Sequence, residues 1–575
     1  MHVATTKRRY NGKTYKNYLI RTSYRHDGKV KHKTLANITH LPEDLIEVIR
    51  QRLKSGKPIT AQGFSIIRSL AHGHVAAILQ TIKDIGLDTI LSAKRVRQRD
   101  VIIALIALRL LQPGSKLSCY RRLTERQATT TLAGELDLQQ LSYRELYQSL
   151  DWLVERQGRI EKKLADKHLD NSTLVLYDLT SSYYTGRQSE LVRFGYNRDG
   201  KRGHPQVVFG LICNEQGCPV GVEVFSGNTD DSTTLAGQIH RVRQQFGIDQ
   251  VVWVGDRGLI TGKVIDTQLR PTEGAEWITA LRASQIRKLA DDGNLQLSLF
   301  DQQDLAELQS PDYPDERLVA CRNPLLAEQR RHNRQQLLEA TCRQLDQIVA
   351  ATQRQRRPLK GKDEIGLRVG KVIDKYKMGK HVQLSITDDS FSYTLNQESI
   401  AAEQGLDGIY VLRTSLPASQ MSANQTVENY KRLSQVEWAF RSMKTTRLQV
   451  RPIYHWLDGR IKAHIFVCML AYYLEWHMRQ RLAPLLYQDE DKQQAHAMRS
   501  SPVAPARPSR TARKKSQCHS NEQGQPVHSM QTLLEDLGTI CKNEIRIDNH
   551  QQTFEEITHP TADQQAILSL LGVEL

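Results

Sequence analysis

The sequence predicts an α/β fold in which a strand-built core is interrupted by an insertion and flanked by helices. Three observations carry this. Between residues 171 and 285, short apolar runs rich in Val, Ile and Tyr alternate with turn signals, as in STLVLYDLTSSYY, QVVFGLICNEQGCPVGVEVF, DQVVWVGDRG and AEWITALR. Strongly apolar helical segments lie on both sides, VIIALIALRLL before and DGRIKAHIFVCMLAYYLEWHMRQRL after. The hydrophobic fraction of 39% and charged fraction of 25% are those of a globular chain, and 575 residues suffice to bury a large core.

Residues 1–60 carry KRRYNGKTYKNYLIRTSYRHDGKVKHK, where ten Lys and Arg face one acid, Asp27, and Tyr10, Tyr15, Tyr18 and Tyr24 are interleaved. Turn signals at Asn11-Gly12 and Asp27-Gly28 predict β-hairpins with one basic face. That face can lie on DNA phosphates with its tyrosines stacking, or stand in solvent with its tyrosines in a core; the pattern leaves both open. Residues 61–170 predict helices. VIIALIALRLL is a buried helix ended by Pro113-Gly114, and another follows near Leu117–Leu123. Two short helices across a turn fit a helix-turn-helix reader or, better, ordinary bundle helices.

Residues 171–285 form the first part of the core. A strand is followed by two strands joined at Glu215–Gly217, then by the amphipathic helix DDSTTLAGQIHRVRQQFG and the strands DQVVWV and AEWITALR. Three strands on short turns, a helix and a strand is the opening order of an RNase-H-like core. Residues 286–424 read as a β-rich insertion domain. It holds a polar helix, Pro324–Arg356, the alternating stretch IGLRVGKVIDKYKMGKHVQLSITDDSFSYTL and the strand DGIYVLRTS. Residues 425–483 return to the core as two helices, QTVENYKRLSQVEWAFRSMKTTRL and the apolar one quoted above. Residues 484–575 are a C-terminal tail. Its segment 497–517 is rich in Pro, Ser, Ala and Arg and reads as a flexible basic linker.

Lys and Arg number 80 against 63 Asp and Glu, a net charge of +17, which favours a polyanionic partner through counterion release. The eight cysteines include no CxxC pair, so a zinc ribbon is not expected. MHVATTKRRYNGK lacks an apolar signal segment, and the longest apolar runs are too short to span a bilayer. Free thiols in a reducing, cytoplasmic setting are expected.

Three acids stand out. In LVLYDLT, Leu174, Val175 and Leu176 anchor a strand, while Asp178, Thr180 and Ser182 alternate onto one face. An acid there costs desolvation unless a partner or metal is present, although a strand-end Asp can also cap a turn. VVWVGDRGL emits Asp256 just past a buried strand, where ligands bind in open α/β sheets; capping the next helix, or pairing with Arg257, is the plainer alternative. Glycines flank Asp256 and let backbone approach a ligand closely. Tyr430, Glu437 and Lys444 are spaced by seven residues and share one helical stripe, beside an apolar stripe of Leu433, Val436, Phe440 and Met443. Such a stripe suits a metal-bound carboxylate flanked by phosphate contacts, and alone it equally suits a solvated face. Isolated acids on rigid apolar elements are what phosphodiester cleavage by two ions about 3.5–4 Å apart requires.

At these residues the chain resembles the DDE transposases of bacterial insertion sequences, in the group typified by insertion sequence four. Within it, the chain is similar to the subgroup with a β-rich insertion before the catalytic Glu. The strings that carry the resemblance are YDLTSSYYTG, GLICNEQGCPVGVEVFSGNTDDSTTL, VGDRGLIT, WITALR, DGIYVLRT, YKRLSQVEWAFRSMKT and RPIYHWLDGRIKAHIFVCMLAYYLEW, with GKVKHKTLANITHLP and SSPVAPA outside the core. The resemblance implies that Asp178, Asp256 and Glu437 hold two Mg²⁺ ions, for which Mn²⁺ can substitute. It implies a Tyr–Arg–Glu–Lys signature carried by Tyr430, Glu437 and Lys444. The usual Arg position holds Leu433, so Arg432 or Arg441 takes the phosphate role, with Arg257 a further DNA contact. It also implies double-stranded DNA as partner, both element ends and target, with a homodimer assembling on it. Water cuts at the element terminus and the freed 3′-hydroxyl attacks target DNA, with no covalent protein–DNA intermediate.

Overall fold

The computed structural model describes residues 1–10, 13–26, 29–55, 64–124, 127–171, 173–201, 203–300, 303–445, 447–491, 494–495, 499, 501–547 and 553–575. The turn dipeptides Asn11-Gly12 and Asp27-Gly28 lie outside the described residues. The chain divides into two compact units, Met1–Gly73 with Gly538–Pro560 and His74–Leu537 with Thr561–Leu575.

In the first unit, strands His2–Tyr10, Lys13–His26 and Lys29–Asn37 form an antiparallel sheet in sequence order. Val3, Tyr18 and Ile20 pack with Ile46, Ile49 and Leu53 of helix Glu43–Ser55. Tyr18 is thus a packing residue, and its hydroxyl donates to Glu43 at 2.8 Å. Tyr24 remains exposed, as does every residue of Lys29–Asn37. Tyr18 is thus in a core and Tyr24 is exposed, while the side chains of Tyr10 and Tyr15 lie outside the described residues. A second sheet pairs Phe64–Ala71 with Cys541–Ile547, which pairs in turn with Thr553–Ile557. The expected boundary at residue 60 and the separate C-terminal tail are revised accordingly. A lone hairpin at 541–557 would be marginal, and the strand from residues 64–71 completes it.

The second unit is organised on an eight-stranded mixed sheet. Its strands are β1 (Thr173–Tyr183), β2 (Gln206–Cys213), β3 (Pro219–Phe225), β4 (Val251–Val254), β5 (Ala275–Ala280), β6 (Leu305–Leu308), β7 (Arg317–Arg322) and β8 (Ile409–Thr414). They lie in the order β6-β7-β8-β5-β4-β1-β2-β3. Strands β1, β4 and β5 are parallel to one another, and every other pairing is antiparallel. β2 and β4 are buried throughout, which is why they read as continuous apolar runs rather than alternating ones.

Helices cover the sheet. α1 (Arg97–Leu111) is buried continuously from Asp100 to Arg109 and packs with α2 (Tyr143–His168) and with the later helix Asp458–Arg481. The first of the two short helices therefore packs as a bundle helix, whereas the second, Lys116–Leu123, buries only Lys116, Cys119 and Leu123. Ser142 and Glu145 form a capping box that starts α2.

The insertion differs from expectation. β6, β7 and β8 extend the core sheet instead of forming a separate domain. What lies between β7 and β8 is mostly helical: α3 (Pro324–Thr352), α4 (Lys362–Tyr376), the hairpin Val382–Ile386/Phe391–Leu395 and helix Gln397–Gly405. IGLRVGKVIDKYK is helical because Ile365, Val369 and Val372 fall at i, i+4 and i+7 and bury together against Leu345 and Ile348 of α3. The buried pair Arg334–Asp407, at 2.9 and 2.5 Å, anchors α3 beside β8.

The stretch expected as one helix is two, α5 (Ala423–Lys431) and α6 (Leu433–Lys444). Arg432 between them keeps helical dihedrals, and the chain tightens locally, with Gln435 N–H donating to Arg432 O at 2.9 Å. α7 (Asp458–Arg481) is buried almost all round, as its uniform apolarity requires. The expected flexible linker is partly docked. Val503 is fully buried, and Arg510–Cys518 is a helix capped by Ser509, with Lys515 Nζ donating to Ala483 O at 2.7 Å. Residues 497, 498 and 500 of that stretch lie outside the described residues.

The sheet is tied to α2 by a buried ion pair. Glu161 accepts from Val222 N–H and Gln157 Nε2, each at 3.0 Å, and pairs with Arg241. Glu161→Ala strands a buried guanidinium and is expected to destabilise the protein by about 3–5 kcal/mol. Glu155→Ala, on the exposed side of the same helix, should change stability by less than about 0.5 kcal/mol. Thermal unfolding of the two variants in parallel checks this.

Candidate active site

β1 and β4 are parallel neighbours in a register that pairs Leu176 with Val254. Asp178 and Asp256 each lie two residues beyond that pair, so adjacent strands deliver both acids to the same end of the sheet. α6 brings the third. Its Val436, Ala439, Phe440 and Met443 are buried, and Phe440 meets Phe209 of β2 edge-on at 5.7 Å. The expected apolar stripe docks the helix, with Ala439 added to it and Leu433 only partly buried. Glu437 stands on the exposed side.

The charges of Asp256 and Glu437 both act on Asp178. Asp178 is pushed up to about 7, first by burial, then by the charge of Asp256, with a smaller contribution from Glu437. Tyr430 is pushed up to about 12 by burial and by the same three charges, Asp256 foremost, and Arg257 opposes them. Tyr430, Arg257 and the three acids therefore form one neighbourhood. Each Asp commits one oxygen to backbone. Asp178 Oδ1 accepts from Leu179 N–H at 2.8 Å. Asp256 Oδ1 accepts from Gly258 and Leu259 N–H at 3.0 and 2.8 Å, so the turn-capping alternative is also satisfied. Among the described residues neither Oδ2 takes a hydrogen bond. Gly255 serves packing rather than ligand approach, since a Cβ there would meet Leu259 and Ile260 side chains at 2.8–3.0 Å.

Lys444 is held inward. Its Nζ donates to Thr180 Oγ1 and to Asp199 at 3.0 Å, and its side chain is only 10% exposed. Thr180 shares the strand face of Asp178, as the alternation predicts. The two Arg candidates separate: Arg432 pairs with Glu215 at 2.8 Å at the β2–β3 turn, and Arg441 is exposed.

Residues not singled out in the sequence complete the arrangement. Asp199 Oδ1 also takes Arg451 Nη1 at 2.7 Å, and its Oδ2 accepts from Tyr183 N–H at 3.0 Å. Arg198 binds both oxygens of Asp231 at 2.5 Å, and its charge offsets part of the rise at Asp178. The long basic segment between Tyr183 and Gln206 was the available signal, because connections of that length in a compact core are usually functional. Arg451 further lines a cavity of about 870 Å³ with Arg109, Lys116, Tyr147, Trp456 and Arg460.

Two family models match the chain. One, described as IS1634 family transposase, N-terminal domain, covers residues 3–63. The other, described as transposase DDE domain, covers residues 171–474, more than half of the chain. A comparison with curated proteins gives no match. Among solved structures, the cryo-EM structure of a piggyBac transposase synaptic complex with hairpin DNA is similar over 81% of this chain and 76% of that one, at 8% identity and a TM-score of 0.34.

The raised Asp178 has a consequence for stability. The folded chain holds that proton up to about pH 7, whereas the unfolded chain releases it near the ordinary value of 3.8. The contribution of this group therefore stabilises the fold below about pH 4 and is progressively lost as pH rises to about 7. Without divalent cations, Asp178→Asn should match the wild type in thermal stability near pH 4 and exceed it increasingly up to pH 7. Parallel melting curves across that range check the sign.

Proposed function

This chain belongs to the DDE transposases, and we propose that it binds the two ends of an insertion sequence of the insertion-sequence-four-like group, cuts them in a metal-dependent reaction and joins them to target DNA. The observation that carries this reading is the convergence of Asp178, Asp256 and Glu437, with the charges of Asp256 and Glu437 adding to the burial that raises Asp178. DDE transposase domains act on DNA and generally use divalent metal ions.

The donor set fits a hard cation: three carboxylates, with Oδ2 of each Asp uncommitted. Asp178, Asp256 and Glu437 would hold two Mg²⁺, or Mn²⁺ in their place. Bound there, such ions lower the pKa of water and stabilise a leaving oxygen. The rest is done by the chain. The Leu179, Gly258 and Leu259 amides pin the two Asp side chains before substrate arrives. Asp199 keeps Lys444 and Arg451 pointed toward the strand face of Asp178, so a phosphate reaching the carboxylates meets cations already oriented. Tyr430 and Arg257 flank the same acids and suit contact with the DNA end, and the exposed Arg441 is placed for backbone contact. Arg432 is occupied by Glu215, which favours Arg441 over it for the phosphate role. The order β3-β2-β1-β4-β5 supports an RNase-H-like reading of the core. The basic strands of residues 3–37, within the segment matching the N-terminal family model, suit end binding. Cut-and-paste transfer by a homodimer on nucleoid DNA in the cytoplasm completes the proposal.

The test is cleavage and strand transfer on a labelled element end with Mg²⁺. Glu437→Gln should bind DNA normally and lose about 10²–10⁴-fold in both steps, the several kcal/mol that metal-assisted charge stabilisation supplies. Cleavage without joined product in the wild type would make the protein a nuclease. DNA binding with no chemistry on the correct end would remove the enzymatic reading. Lys444→Ala should weaken end binding and reduce the slope of log affinity against log salt by about one phosphate contact. An unchanged slope would restrict Lys444 to positioning.

A further inference from the structure

A second set of metal-ligating side chains lies outside the carboxylates. Ligand atoms of His168, Cys218 and His477 lie within 4.8 Å of one another. They come from three separate elements. His168 is the last residue of α2, Cys218 immediately precedes β3, and His477 lies in the last turns of α7.

Each is rigidly held. The turn carrying Cys218 is closed by Asn214, whose Oδ1 accepts from Gln216 N–H at 3.0 Å and from Cys218 N–H at 2.9 Å. Gly217 adopts φ +77°, a conformation that a side chain would strain. Trp476 Nε1 donates to Gln216 O at 3.3 Å and ties α7 to that turn. His168 Nε2 lies 2.9 Å from the Tyr473 hydroxyl. His477 Nε2 is buried and has no hydrogen-bond partner, a state that normally costs free energy.

We propose that His168, Cys218 and His477 bind a late first-row divalent cation of the zinc type. Nitrogen and sulfur donors select such an ion over Mg²⁺, so the site is chemically independent of the carboxylates. Small side-chain rotations bring three atoms this close to bond lengths of about 2.0–2.3 Å, with water as the fourth ligand. Binding places a metal on the unpartnered His477 nitrogen and releases the Cys218 thiol proton to solvent. The Tyr473 hydroxyl, accepting from His168 Nε2–H, leaves Nδ1 of that ring for the ion and fixes its orientation. His168 and His477 are only half-buried, which gives the ion a path in. The bound ion would staple the end of α2, the β2–β3 turn and α7.

The experiment is titration of the chelator-treated full chain with Co²⁺, read by absorption in excess Mg²⁺. We expect about one equivalent of tetrahedral Co²⁺, with a thiolate-to-metal charge-transfer band and intense visible bands. Zn²⁺ should displace it and raise the melting temperature. Cys218→Ser should abolish the charge-transfer band, and His477→Ala and His168→Gln should each weaken Co²⁺ by at least ~10-fold. Tyr473→Phe should weaken it about 10-fold with the band retained. Cys518→Ser, at the exposed cysteine, should change nothing. The proposal is overturned if the wild type shows no band, if the band survives Cys218→Ser, or if excess Mg²⁺ displaces the Co²⁺. Far-UV circular dichroism confirms that each variant is folded. Should one variant fail to fold, the remaining two ligand substitutions decide.

Discussion

The delivery of two acids to one end of the sheet by adjacent parallel strands is the constraint on which the second unit depends. Asp178 and Asp256 leave adjacent parallel strands at the same level, and Glu437 is delivered against them by a helix. Left free, three such side chains would separate into water. They stay together because β1 and β4 carry buried apolar side chains, Val175 and Trp253 among them, and α6 docks through buried Met443 and through Phe440 against Phe209 of β2. The cost appears locally, in an Asp178 that prefers its proton near neutrality.

The surrounding cations follow from the same constraint. Asp199, buried and doubly paired with Lys444 and Arg451, collects positive charge near the acids without letting it collapse onto them. Arg198 is similarly held by Asp231. Had these side chains paired with Asp178 or Asp256 directly, the oxygens would be occupied and the repulsion relieved within the protein. Separate carboxylate partners keep the two sets of charge apart.

The additions to the core obey a different rule. β6, β7 and β8 prolong the sheet, so the insertion is anchored by backbone hydrogen bonds and by the Arg334–Asp407 pair rather than by a tether. Its helical body has its own apolar cluster from Leu345 to Phe391. In the first unit, strands from the two ends of the chain share one sheet. Both arrangements join residues far apart in sequence, and local pattern carries no record of such pairing.

What the sequence by itself determined was the set of elements whose apolar period is unambiguous and the acids they display. The runs LVLY and VVWV read as buried strands, the spacing of Val436, Phe440 and Met443 as a docked helix face, and Asp178, Asp256 and Glu437 stood out against those backgrounds. Tertiary structure decided whatever depended on long-range partners. It turned Lys444 inward onto Asp199 and Arg432 toward Glu215, because a long cation takes its direction from the carboxylate it meets. It made IGLRVGKVIDKYK a helix, because α3 offered a matching apolar face to residues whose local propensity suited either state. It also brought His168, Cys218 and His477 together from three elements, a proximity that no sequence spacing records.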